Sequence, residues 1–137
     1  MLHRILSVIA GAVIAAGLVF LSDVLTGKVY PPPAGIDLNN AAEVKKMVEA
    51  MPAGAFGFMI AGYAVACFAG GLVAALVSGC KTARASFIVG VVITAGSIMN
   101  VMSIPGHPLW FVILGALVCI PFALLGYMAV RKKTTVI

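Results

Sequence analysis

Apolar and polar positions divide the chain into four long apolar runs, at about residues 5–25, 53–79, 85–104 and 109–130, joined by shorter polar segments. Each run reaches the roughly 20 residues that a helix needs to cross a hydrocarbon core about 30 Å thick. Helices and closed barrels are the two structures that satisfy every backbone group in lipid. The runs are continuous rather than alternating, so helices are predicted and not barrel strands. The second run is long for one crossing and should tilt or project a turn beyond the bilayer. The first run, ILSVIAGAVIAAGLVFL behind MLHR, resembles a signal peptide. Its apolar core exceeds the usual length of roughly 7–15 residues, which predicts a retained helix. The expected fold is all-α: a single four-helix transmembrane domain over residues 1–137.

The longest polar segment, 26–52, has a pattern of its own. YPPPAGID cannot be helical through its prolines and should run as stiff polyproline II. In the following NNAAEVKKMVEAMP, Asn40 and Glu43 have the spacing of a capping box. Val44, Met47, Val48 and Met51 then recur at helical spacing, and Lys45 and Glu49 stand four apart. A short amphipathic helix at about 41–51 is predicted, lying on the membrane surface or over the end of the bundle. Pro52 is the natural boundary before the second crossing and suits its first turn.

Composition strengthens this reading. Of 137 residues, 63% are hydrophobic and 9% charged, with a mean hydropathy of +1.17, against about 25% charged in an ordinary soluble domain. A globule this small cannot hide so much apolar surface from water, so its expected partner is the lipid bilayer. The net charge of +5 forms no dense basic stripe with interleaved aromatics, which argues against nucleic acid. Its placement predicts orientation instead. Arg4, Lys81, Arg84, Arg131, Lys132 and Lys133 fall on one side of the crossings with no acidic residue among them. Lys28, Lys45 and Lys46 fall on the other with Asp23, Asp37, Glu43 and Glu49. An excess of Lys and Arg in short loops marks the cytoplasmic side, so both termini should be cytoplasmic, with the 26–52 loop and the 105–108 turn facing outward. Trp110 and Phe111 at one end of the last run, and Tyr127 at the other, suit an aromatic belt.

The second run contains GYAVACFAGGLVAALVSG, residues 62–79. Gly62, Ala66, Gly70, Ala74 and Ser78 stand four apart, beside a parallel row of Gly71, Ala75 and Gly79. In lipid, helices associate by close backbone approach, which such small residues permit. Two small rows predict a central helix with more than one neighbour. Shorter rows occur at Ser7, Gly11 and Ala15 and at Ser86, Gly90 and Thr94. They serve packing within one chain or a seam between copies of it.

The third run carries Thr94, Ser97, Asn100 and Ser103. Asn100 is the costliest to place, because its amide needs partners where there is no water. Hydrogen bonds between helices are one reading, worth about 0.6 kcal/mol each on average. A polar path for a small solute or lipid headgroup is the other. Asp23 marks the outer end of the first run, and His107 in PGHPLW reads as a turn residue at the headgroup level. Asp23, Asn100 and His107, with Thr94 and Ser97, are the candidate binding residues. Asp23, Ser103 and His107 also form a set of the Ser/His/Asp type used in acyl transfer. Pro105 and Gly106 break the spacing between Ser103 and His107, and no GxSxG elbow is present, so no catalytic residue is assigned. Pro121 should weaken the bond to the Leu117 carbonyl and kink the last helix. Cys67, Cys80 and Cys119 have no CxxC or Cys/His spacing, so neither a disulfide framework nor a metal site is predicted, and no cofactor.

No run holds a mid-membrane Asp, Glu, Lys or Arg. That argues against small multidrug exporters, which share this size and helix count but rely on a membrane-embedded glutamate. The lack of CxxC argues against quinone-linked disulfide enzymes. Taken in order, PPPAGID, AFGFMIAGYAVACFAGGLVAALVSG and SIPGHPLWFVILGALVCIPFALLG resemble a group of short bacterial inner-membrane proteins. These share the proline-rich outer segment, the small-residue second helix and a Pro-Leu-Trp-Phe opening of the last helix. The resemblance implies a bacterial inner-membrane location and four helices, and carries over no catalytic residue. The expected role is non-enzymatic: a self-associating or accessory subunit, as a homo-oligomer or within a larger membrane complex. A small transporter or channel component handling a solute or lipid is the alternative, and an outer-face hydrolase the third.

Overall fold

A computed structural model describes residues 1–80 and 83–134, apart from the side chains of Lys133 and Thr134. Lys81 and the Lys133 side chain, both part of the charge asymmetry, lie outside the described residues. The described chain forms five helices and no strand: α1 Leu2–Val29, α2 Ala41–Glu49, α3 Ala53–Val77, α4 Arg84–Ser103 and α5 Leu109–Thr134. Four of them, all but α2, are long and apolar enough to cross a membrane. The protein is an all-α, membrane-embedded bundle of four helices.

α1 runs to Val29, beyond its apolar stretch, because nothing interrupts it before the prolines. Pro31 disfavours helical backbone at the residue before it, and Tyr30 leaves the helix at φ −122° and ψ 72°. In the last turns the Thr26 hydroxyl donates to the Ser22 carbonyl at 2.8 Å. At α2, the Asn40 side chain accepts from the Ala42 N–H at 3.1 Å. The reciprocal half of the capping box is absent. Glu43 instead accepts from the Asp37 N–H at 2.6 Å, tying the helix to the loop before it. Lys45 and Glu49 face each other across 3.8 Å in solvent. Pro52 caps α3 from just outside, with extended backbone. α3 ends at Val77, two residues short of its apolar run, since Gly79 and Cys80 both adopt positive φ and the Cys80 N–H turns back to the Ala75 carbonyl at 2.8 Å.

α3 is the most covered of the four long helices. α1 lies antiparallel along one side of it and α5 parallel along another, while α4 touches α1, α3 and α5. The start of α1, the end of α3, the start of α4 and the end of α5 share one end of the bundle, the terminal end. Residues 30–52 and 104–108 share the other, the loop end. The two small rows of α3 meet different neighbours. A Cβ on Gly70 would stand 2.7 Å from both the Ala15 Cβ and the Gly11 carbonyl oxygen of α1, and a Cβ on Gly71 would fall on the Ala123 backbone of α5. α5 returns the fit, since a Cβ on Gly126 would strike the Phe68 carbonyl. Backbone contact of this kind gathers many small dispersion gains, the main attraction available between helices in lipid. A side-chain hydrogen bond adds to it: the buried Ser86 hydroxyl of α4 donates to the Gly71 carbonyl at 2.7 Å. α5 continues through Pro121, and α4 makes its close approach beside that residue, where a Cβ on Gly90 would stand 3.0 Å from the Ile120 Cα.

Large side chains fill the loop end. α2 lies over it: Val48 is buried in one cluster with Phe56 and Phe111. Gly106, at φ +101°, brings the 104–108 turn against the α2 backbone, so that a Cβ there would stand 2.9 Å from the Lys45 carbonyl oxygen. Phe111 and Tyr127 do not act as belt residues. Both are buried, while Trp110 stays 42% exposed. Phe111 is drawn inward by ring contacts, with Phe56 at 5.1 Å and His107 at 5.5 Å between centroids.

Candidate functional site

Ser22 and Gly62 set the rotation of α1 toward the loop end of the bundle. The Ser22 hydroxyl occupies the space that a side chain at position 62 would take, so Gly62 admits it and α1 locks in register. The next residue, Asp23, is thereby turned toward the gap between α1 and α4. A cavity of about 530 Å³ lies in that gap, and Asp23, Tyr63, Ser97 and Asn100 all line it. Ser97 and Asn100 stand three apart on α4, hence on one face. Tyr63, buried on α3, forms the floor, and its hydroxyl has Asp23 and Asn100 as polar neighbours.

The Asp23 carboxylate is the unusual element. Its Oδ1 is shielded from solvent and has no hydrogen-bond partner. The one ion pair found among the described residues, Lys45–Glu49, is elsewhere. A shielded charge without a partner is costly. Asp23 also borders a second cavity, of about 510 Å³, bounded by the end of α1, the proline segment and α2, with Tyr30, Met47, Met51 and Met59 among its walls. The carboxylate therefore stands on a wall common to both spaces.

Of the five residues that sequence singles out, three meet at this site: Asp23, Ser97 and Asn100. Thr94 lies apart. Its hydroxyl donates back to the Gly90 carbonyl at 2.8 Å, and Cys119 of α5 is its polar neighbour. His107 also lies apart, because its ring stacks on Phe111 at 19° and its Nδ1 pairs with the Ile104 carbonyl oxygen at 2.9 Å. Ser103, exposed, donates to the Met99 carbonyl at 2.9 Å. No hydrogen bond joins Asp23, Ser103 and His107 among the described residues. Of the packing residues, Ala66, Gly70, Ala74 and Gly90 are buried, Gly62 holds Ser22, and Ser78 folds its hydroxyl onto the Ala75 carbonyl at 3.0 Å.

Two features escape sequence reasoning. Tyr63 is one; the signal available for it is the stripe Phe56, Met59, Tyr63, which continues the face of Gly70 and Ala74 toward the loop end with large residues. The other is the neighbourhood of Cys67 and Cys119, buried free thiols that interact across the α3–α5 contact. No cluster of three or more metal-ligating side chains occurs among the described residues.

Taken with the fold, this geometry defines a four-span membrane-embedded protein with a carboxylate-walled cavity at one end. No protein family, curated protein or solved structure matches the chain.

Proposed function

We propose that this chain is a non-enzymatic, multi-pass protein of a bacterial inner membrane that holds a small solute or lipid at its loop end, as a component of a transport or lipid-handling system. The observation that carries this reading is Asp23, whose side chain borders two cavities of about 510 and 530 Å³ and keeps one carboxylate oxygen, Oδ1, shielded and unpartnered. Spaces of this size are in the range of small-molecule sites, which combine apolar walls with a few polar groups that fix orientation. The proposed orientation has both termini in the cytoplasm. Arg4, Arg84, Arg131 and Lys132 at the terminal end support it, with Asp37, Glu43 and Glu49 at the other.

Assembly with further copies or with a larger membrane complex belongs to the same proposal only through other surfaces. The small rows of α3 are already filled by α1 and α5, which leaves no such groove for a second copy.

Native mass spectrometry of the chain released from phospholipid nanodiscs tests the holding function. Gly27 lines one cavity and Gly96 the other, and a Cβ on either meets no atom within 4 Å, so Gly27→Phe and Gly96→Phe should fill the spaces without disturbing the fold. The wild type should retain a lipid-sized adduct that one of these variants loses. A wild type without adducts, or adducts indifferent to both variants, would sink the reading.

A further inference from the structure

The α1–α4 cavity is polar at one end only. Asp23, Tyr63, Ser97 and Asn100 sit together toward the loop end, while Ala12, Val13, Val92 and Ile93 continue the walls toward the terminal end. From Ala12 to Asp23 the helix rises about 16 Å, at about 1.5 Å per residue. The space is thus a groove with a polar head and a long apolar stem. Its head holds the acidic side chain of Asp23, with further acceptors in the Asn100 amide oxygen and the hydroxyl oxygens of Tyr63 and Ser97. No Lys, Arg or His lines it. An ammonium group has three N–H donors and no acceptor, which suits a ring of acceptors around an acidic side chain. A phosphate or carboxylate headgroup would meet Asp23 with like charge.

Resting on the holding function above, we propose that this groove binds a single-chain amphiphile bearing a protonated amine, the ammonium against Asp23, Asn100 and Tyr63 and the apolar chain along α1 and α4. Desolvated charge pairing at the head supplies the selectivity, and the stem supplies affinity without discrimination.

The test uses the full chain in nanodiscs, with dodecylamine, dodecanol and a phosphatidylethanolamine compared as probes by native mass spectrometry. Dodecylamine should bind at least about tenfold more tightly than dodecanol, whose chain is the same. Asp23→Asn should reduce that preference to within about twofold, with helicity unchanged by circular dichroism. Tyr63→Phe keeps the ring and should reduce the preference several-fold, which guards against a folding defect at Asp23. Gly96→Phe should weaken amine and alcohol alike. Equal binding of amine and alcohol by the wild type, with both lost in Gly96→Phe, would overturn the amine selectivity and leave the holding function standing. Persistence of the preference in Asp23→Asn would overturn the assignment of the head. Tighter binding of the phosphatidylethanolamine than of dodecylamine would replace the single-chain cation with a phospholipid headgroup. Absence of binding by all three probes would overturn the amine proposal, while the lipid adducts of the wild type test the holding function separately.

Discussion

The two ends of the bundle are packed on different terms. Toward the terminal end, α1, α3, α4 and α5 meet through Gly11, Gly70, Gly71 and Gly126, where an added Cβ would fall on the neighbouring helix. Toward the loop end stand Tyr30 just past α1, Phe56 and Tyr63 on α3 and Trp110 on α5, and two cavities of about 500 Å³ each lie there. Small side chains let backbones close up, and the interface then has no room to spare. Large side chains hold helices apart, and where their outlines fail to match, space remains. Helix association in lipid depends on contact rather than on escape from water, so the terminal end carries the stability and the loop end is free to carry a site.

Substitutions that add bulk should reveal the difference most sharply. Gly71→Leu should be the most damaging change, costing about 3 kcal/mol or more because the rigid Ala123 backbone cannot yield as a side chain would. Unfolding of the detergent-solubilised chain in a titration with dodecyl sulfate, followed by circular dichroism, measures it. A stable Gly71→Leu protein would break the comparison. The same kind of glycine at the open end should respond with the opposite sign. Gly96 has no atom within 4 Å of its missing Cβ, so Gly96→Ala should stabilise by about 0.5–1 kcal/mol through helix propensity alone, read by the same titration. Ser86→Ala removes the hydroxyl that reaches Gly71 and should cost about 0.6 kcal/mol, the average for such bonds between membrane helices. At the loop end, Lys45→Gln breaks an exposed ion pair and should move the transition by less than about 0.5 kcal/mol. A loss larger than that of Ser86→Ala would show that α2 contributes to the stability of the bundle.

Much of the fold could be read from the chain because lipid imposes one demand everywhere. A long apolar run must become a helix, and the four runs do so. The ends of those helices were less legible. α1 continues past its apolar stretch because only Pro31 can stop it, and α3 stops early because Gly79 and Cys80 adopt left-handed backbone. The central place of α3 was legible in its two small rows, but which helices fill them was not. Cys67 and Cys119 become neighbours only because α5 lies parallel to α3, a fact of packing that no spacing encodes. At the site, Asn100 stood out as an amide within an apolar run and Asp23 as an acid at the outer end of one. Tyr63 did not, because a tyrosine in an apolar run reads equally as core. His107 looked like a site residue until Phe56 and Phe111, from two different helices, enclosed its ring.

The central place of α3 has a consequence for how the molecule is made. As the chain leaves the ribosome, α1 is already in the bilayer when α3 arrives, and one side of α3 is covered at once. Its other side, around Gly71, waits for α5, which is synthesised later. A nascent chain ending before Leu109 should therefore stay open to membrane proteases, and one that extends past Gly126 should close against them.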